Sequence, residues 1–159
     1  DARDVIGRVT KPIGQHQTAG NLLDSLAESG ATLLVRVVDA LADGTARSEA
    51  QVGDVTLAPK LGLADGEVDW TLPAEAVSAQ IRGVTPEPGA FTTIDDARLK
   101  ILDATIARDV PRMPAGQFAL VGRRVVVGTA TDPIELVAVH PSGRRAMDAA
   151  SWWRGRRTP

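Results

Sequence analysis

Two hydrophobic periods divide the chain. From Thr18 to Gly44 and again from Pro73 to Val84 apolar residues recur at helical spacing, and from Pro88 to His140 they alternate with a period of two. The second half predicts strands near Ala90–Ile94, Leu99–Ala107, Gly116–Val121, Val125–Thr129 and Ile134–His140. Asp95-Asp96 and Gly122-Arg123 supply short turns, and "RDVPRMPAG" a long one. Five short strands with a long connection in the middle fit a small Greek-key barrel of the oligonucleotide-binding kind.

In the first half, "DVIGRVTKPI" (Asp4–Ile13) is rich in Val and Ile and predicts a strand ended by Pro12. Thr18 suits the N-cap of a helix with Leu22, Leu23 and Leu26 on one face, and Gly30 suits its end. A second helix is expected at once, with a stripe of Leu33, Leu34, Val37, Val38 and Leu41 and an end at Gly44. A strand and two helices are the tail of an α/β layer whose sheet partners lie elsewhere. Gly44–Trp70 has Gly, Pro and charge without periodicity and reads as a linker. Pro73 then opens a helix with Ala74, Val77, Ile81 and Val84 at helical spacing. The expected domains are 1–45, a linker 46–70, and the barrel 71–159.

Composition adds two constraints. The 159 residues include no cysteine. That excludes a disulfide framework, thiolate metal ligands and a cysteine nucleophile, and it fits a reducing cytoplasm. No apolar run approaches the roughly 20 residues of a membrane span. The first residue is Asp, not Met, and the expectation is a piece of a longer protein. Charge is uneven: residues 1–80 hold 6 Lys/Arg and 12 Asp/Glu, and residues 81–159 hold 12 and 8, so the halves carry −6 and +4. The basic half is the candidate for a polyanionic partner.

Motifs for nucleotide, zinc-protease or serine-hydrolase chemistry are absent from the sequence. His16 and His140 are far apart and without ligand-like neighbours, so no metal site is expected. His140 and Ser142 read as turn residues rather than as a base and nucleophile. The basic residues carry more: Lys60 in the linker, Arg82 at a helix end, Arg123-Arg124 on a hairpin, and Arg144-Arg145 after the last strand. Cations gathered on one surface are what phosphate binding requires. Trp152 and Trp153 are adjacent and cannot share a helix face, so one ring is expected in the core and the other partly exposed.

Several segments together resemble the C-terminal half of the methionyl-tRNA formyltransferase family. "TAGNLLDSLAESGATLLVRVVDALADGT" is similar to the helix pair that closes its catalytic domain. "LAPKL", "VDW", "PAEAVSAQIRGVTPEPGAFTTI" and "LKI" resemble its linker and the entry to its C-terminal barrel, and "HPSGRRAM" its closing motif. The ordered set covers almost the whole chain. The resemblance implies transfer of a formyl group from 10-formyltetrahydrofolate to the amino group of methionyl initiator tRNA. It also implies a Rossmann-like catalytic domain, a barrel that helps hold the tRNA, and a monomer in the cytoplasm. Asp1 matches the family's catalytic Asp, in "DARDV" where D-T-G-D-V is usual. The family's catalytic Asn and His, and most of its folate pocket, fall upstream of position 1. "VTPEPGAFT" departs from the commoner N-P-W-P-G-A-F-T, so an aromatic role there is not carried over. With tRNA as the implied partner, the basic residues singled out above, Lys60, Arg82, Arg123, Arg124, Arg144 and Arg145, are the expected tRNA-binding residues. Rival readings are another formyltetrahydrofolate-dependent formyltransferase or hydrolase, a non-enzymatic RNA-binding barrel, and a purely structural barrel.

Overall fold

The structure, a computed structural model, describes residues 4–156. The chain divides between Lys60 and Leu61 into two compact units.

The first unit is built on one helix, α1 (Ala19–Ala42). Thr18 caps it: its hydroxyl accepts from the Asn21 N–H at 3.2 Å, and the Asn21 side chain accepts from the Thr18 N–H at 3.5 Å. The two helices expected from the sequence are therefore a single helix running through Gly30. Gly30 is not among the glycines with positive φ, so it is no helix end. Mid-helix Gly costs about 1 kcal/mol against Ala. That penalty is smaller than the loss of an apolar face which keeps one phase from Leu22 through Leu26, Leu33 and Val37 to Ala40, all half-buried. The helix ends where the sequence placed its end, with Gly44 at φ 66°.

The expected strand over Asp4–Ile13 is not formed. Within the described residues the segment makes one antiparallel bridge, Val5 with Glu49, closed by hydrogen bonds of 2.8 and 2.9 Å. Val and Ile favour extended backbone, but a strand needs a neighbour to pair with, and here the segment crosses the helix instead. A Cβ on Gly7 would lie 3.0 Å from both Leu33 and Val37, and the Lys11 ammonium donates to Ser25 Oγ at 2.7 Å. The stripe read as one face is split in the structure. Leu33 and Val37 are half-buried, whereas Leu34, Val38 and Leu41 are exposed together with Leu23.

The second unit holds the core. Its first element is a 3₁₀ turn, Leu63–Gly66, followed by Val68 and Trp70, both buried. Both fall within the stretch that reads as a linker, because one valine and one tryptophan show no period. The Trp70 indole N–H donates to Thr92 Oγ1 at 3.0 Å, which settles its one polar atom inside the core. Helix α2 (Ala74–Gly83) starts behind Pro73 and buries Ala74, Val77 and Ile81. Thr131 Oγ1 accepts from the Ala74 N–H at 2.9 Å, tying the helix start to the loop before the last long strand.

Five strands follow: β1 (Ala90–Ile94), β2 (Ala97–Ile106), β3 (Phe118–Val121), β4 (Arg124–Val127) and β5 (Ile134–Pro141). All pairs are antiparallel, and the order across the curled sheet is β1-β2-β5-β4-β3. Placing β5 between β2 and β4 is the Greek-key order. Two short elements complete it: β6 (Met147–Asp148), paired to β5, and α3 (Ala149–Arg154). Inward residues Leu99, Ile101, Val125, Val127, Ile134 and Val139 are almost fully buried. Each such side chain contributes about 1.5–3 kcal/mol by leaving water. The register shift between Ile101 and Ala104 leaves both Leu102 and Asp103 outward and returns Ala104 and Leu136 to a common face.

Trp152 is buried and Trp153 half-buried, as the adjacency argument expected. Phe118 joins them, stacked on Trp153 with centroids 6.1 Å apart and edge-on to Trp152 at 6.4 Å. Asp148 caps α3 by accepting from the Ser151 N–H at 2.8 Å. This bond, first among the causes, holds its carboxyl below the usual aspartate range.

Candidate nucleic-acid interface

Strand register brings three turns to one end of the sheet. Leu99 opposes Pro141, and Ile94 opposes Ala97, so the Asp95-Asp96 turn lies beyond the end of β5. Val125 opposes Leu136, so the Gly122-Arg123 turn points the same way, and residues 142–146 join β5 to β6 there. Asp95 and Asp96 both have positive φ, 49° and 58°, the backbone of a two-residue hairpin turn whose twist matches the strands.

Cations concentrate at this turn end. Arg123 sits at the tip of the β3–β4 hairpin, and Arg144 and Arg145 lie on the turn after β5; all three are exposed and make no ion pair among the described residues. Arg98 and Lys100, which the sequence reading did not single out, stand two apart on the outward face of β2 and are likewise exposed and without an acidic partner. The Arg98 guanidinium lies over the Phe91 ring of β1, 4.1 Å from its centre. Lys100 pairs across the sheet with His140, and the Ser142 N–H donates to the Arg98 carbonyl at 3.1 Å. No hydrogen bond joins His140 to Ser142 among the described residues.

A cavity of about 440 Å³ opens here, lined in part by Asp95, Arg98, Ser142, Arg144, Trp152 and Arg156. A second, of about 270 Å³, is lined by Arg98, Lys100, His140, Pro141, Ser142 and Gly143. The two share Arg98, Pro141 and Ser142. Arg156 is held against the tryptophans, 4.6 Å from Trp153 and 5.3 Å from Trp152, and pairs with Asp95.

The remaining candidates fall elsewhere. Arg124, the first residue of β4, is committed inside the protein. Its Nη1 and Nη2 donate to the two oxygens of Asp109 at 2.6 and 3.2 Å, and its Nε donates to Glu135 at 2.7 Å. The bond from Arg124 is the largest cause that lowers the Asp109 carboxyl, and the two carboxylates together raise the arginine. Arg82 is half-buried in the last turn of α2 and does not line either cavity. Lys60 is exposed and belongs to the first unit. Asp1 lies outside the described residues. Among the described residues no group of three or more His, Cys, Asp or Glu side chains could hold a metal ion. No helix among the described residues is long and apolar enough to cross a membrane.

The curled sheet, its entry helix and the closing Gly-Arg-Arg-Ala-Met turn define a class. A family model described as formyl transferase, C-terminal domain, matches residues 60–157, and the chain belongs to that family. Within it, the resemblance to methionyl-tRNA formyltransferases holds. The protein of that name from Clavibacter michiganensis subsp. michiganensis is 51% identical over 155 residues, which are 98% of this chain and 51% of that protein. Those from Leifsonia xyli subsp. xyli and Salinispora arenicola are 50% and 46% identical, again over 98% of this chain and 51% of their own length. The chain thus spans about half the length of the curated relatives it matches. Among solved structures, HypX from Aquifex aeolicus superposes with a TM-score of 0.74 at 16% identity, over 100% of this chain and 29% of that one. An N-formyltransferase from Helicobacter canadensis gives 0.60 at 15%, over 84% and 49%. At such identities the two structures share the fold.

Proposed function

We propose that this chain is the C-terminal part of a methionyl-tRNA formyltransferase, and that its second unit holds the initiator methionyl-tRNA while the chemistry proceeds outside it. One observation supports the binding role: among the described residues Arg98, Lys100, Arg123, Arg144 and Arg145 at the turn end have no acidic partner, whereas the arginines beneath the long β2–β3 connection do. In this reading residues 1–45 close the catalytic Rossmann-like domain, 46–70 link it to the C-terminal unit, and 71–159 form an OB-like barrel. The exposed row Leu23, Leu34, Val38 and Leu41 supports the first assignment, because a row of that size needs cover. The working enzyme is a cytoplasmic monomer, and Asp1 is its catalytic carboxylate.

The formyl donor is 10-formyltetrahydrofolate. A HypX structure has been solved in complex with tetrahydrofolic acid. The two cavities here share Arg98, Pro141 and Ser142, and their cations are Arg98, Lys100, Arg144 and Arg156. No step of folate chemistry is assigned to these residues. Their part is electrostatic: to attract the tRNA backbone and fix its register, since phosphate contacts position and base contacts specify. Of the rim Lys60, Arg82, Arg123, Arg124, Arg144 and Arg145, the exposed and unpaired Arg123, Arg144 and Arg145 are the strongest members. Formylation of methionyl-tRNA by the intact protein tests the reading. Turnover with initiator methionyl-tRNA is expected, and a protein that formylates an amino sugar instead would overturn it.

A further inference from the structure

We infer that Gln80 is a positioning residue for formyl transfer: its amide pins the point and direction at which the chain enters the second unit. The inference rests on the reading of that unit as the tRNA holder, and it adds a residue that lines neither cavity. Gln80 lies in α2 and is half-buried. Its Nε2 donates to two carbonyls of the segment before the helix, Asp65 at 3.2 Å and Glu67 at 2.8 Å. Its Oε1 is buried and accepts no hydrogen bond from the described residues. The position therefore uses the donors of the amide and leaves its acceptor idle. One nitrogen draws two backbone oxygens of the entry segment onto α2.

The other sides of that segment are held as well. Gly66, Val68 and Trp70 are buried while Glu67 and Asp69 are exposed, the alternation of an extended chain lying on a core. The Val68 N–H donates to the Phe91 carbonyl at 2.9 Å, and Glu67 bridges Phe91 in parallel, so the segment runs along β1. A Cβ on Gly66 would lie 2.3 Å from the Gly89 carbonyl oxygen, which leaves no room for the segment to slide. Asp65 Oδ2 accepts from the Gly62 N–H at 2.6 Å and closes its first turn. Upstream the picture reverses: Val52, Val55 and Leu57 are 98%, 83% and 86% exposed. The chain thus passes from an exposed connector to a held segment within a few residues, and Gln80 sits at that transition.

Stability alone gives this bond pair little to do. Val68 and Trp70 are anchored by their own burial, and bonds to carbonyls of exposed residues contribute modestly to a fold. What the pair removes is angular freedom where the connector meets the unit. That freedom matters when one unit holds the tRNA and the chemistry proceeds outside it. Play at the joint then displaces the methionyl amino group from the formyl donor, and a misplacement of about 1 Å can cost on the order of 100-fold in rate. Affinity for tRNA, set by other residues, is untouched.

The test is steady-state formylation of methionyl-tRNA by the intact protein and three variants. Gln80→Glu keeps the shape but replaces the donors by acceptors, which the two carbonyls repel. It is expected to lower kcat about tenfold with KM for tRNA nearly unchanged. Gln80→Lys restores donors without an acceptor, and is expected to keep kcat close to that of the parent. Gly66→Ala, which displaces the segment from its other side, is expected to resemble Gln80→Glu. Hydrogen exchange over residues 62–70 should quicken in Gln80→Glu and Gly66→Ala and not in Gln80→Lys. Unchanged kcat in Gln80→Glu would overturn the role, as would a loss confined to KM, which would make Gln80 a binding residue. A Lys variant as slow as the Glu variant would overturn the donor argument. A parent that transfers no formyl group to methionyl-tRNA would overturn the functional reading and this role with it, whereas a working parent with an indifferent Gln80→Glu variant overturns this role alone.

Discussion

Two regions of the second unit treat arginine in opposite ways. Beneath the long connection from β2 to β3, every arginine has a carboxylate. Arg108 pairs with Glu75 at 3.0 Å, Arg112 with Asp132 at 3.7 Å, and Arg124 with both Asp109 and Glu135. At the turn end Arg98, Arg123, Arg144 and Arg145 have none among the described residues, and Lys100 joins them. The difference is not one of exposure, since Arg108 and Arg112 are themselves 65% and 72% exposed. Exposed pairs stabilise a fold by little, about 0–1 kcal/mol. What pairing does change is the field outside the protein. One region is close to neutral, and the other presents an uncompensated positive surface to whatever approaches.

The structural dependence of the neutral region can be broken most strongly at Gly128. A Cβ there would lie 2.0 Å from the Pro114 carbonyl oxygen, so the connection must shift to admit even alanine. Gly128→Ala is expected to destabilise the unit by about 2–3 kcal/mol, read by urea denaturation. A loss under 0.5 kcal/mol would mean that the connection yields, and with it the arginine–carboxylate geometry it sets.

A pH titration sharpens the contrast. The Asp109 carboxyl is held below its ordinary value by the hydrogen bond from Arg124. Its contribution is therefore present above the unfolded aspartate range and is lost as pH falls through the depressed folded value. Asp109→Asn is expected to be less stable than the parent near neutral pH, and the gap should close in acid, below about pH 4. Arg144→Ala and Arg145→Ala should leave the same curve unmoved. A gap that persists unchanged into acid would remove the ion pair from the explanation.

The strands were legible because period two survives in "RLKI" and "IELV", where more and less buried residues alternate. Arg144-Arg145 and Arg123 stood out because they lie on turns marked by glycine. Arg98 and Lys100 were visible as outward positions of the same alternation. Their meaning depends on which strand lies beside β2, and the pairing of β2 with β5 is long-range and leaves no local trace. Arg124 was misleading for the same reason, since its partners Asp109 and Glu135 are 15 and 11 residues away. The short β6 and α3 escaped because two and six residues are too few to show a period, although Asp148 before "AASWW" was a usable cap signal. In the first unit, Gly30 and the Val/Ile-rich start pointed locally to a helix end and a strand, and packing along a single helix prevailed over both.

The smallest expected effect lies in the turn beside the groove. Asp96 adopts φ 58°, a conformation that glycine takes without the Cβ penalty. Asp96→Gly is expected to stabilise the unit by about 0.5 kcal/mol, a gain within the range of backbone effects at such positions. It should leave RNA affinity nearly unchanged. A large gain in affinity would show that Asp96 had been repelling the ligand and would redraw the edge of the positive surface.

The contrast between the two regions is tested most directly by the salt dependence of tRNA binding in two double variants of the same protein. Arg144→Ala with Arg145→Ala removes two cations from the turn end, and Arg108→Ala with Arg112→Ala removes two from the paired region. The first is expected to weaken binding and to lower the magnitude of the log–log slope by up to about 1.8, near 0.9 for each contact on the duplex scale. The second is expected to leave both affinity and slope as they were. Equal losses from the two variants would show that net charge alone governs binding, and would contradict an RNA-facing turn end.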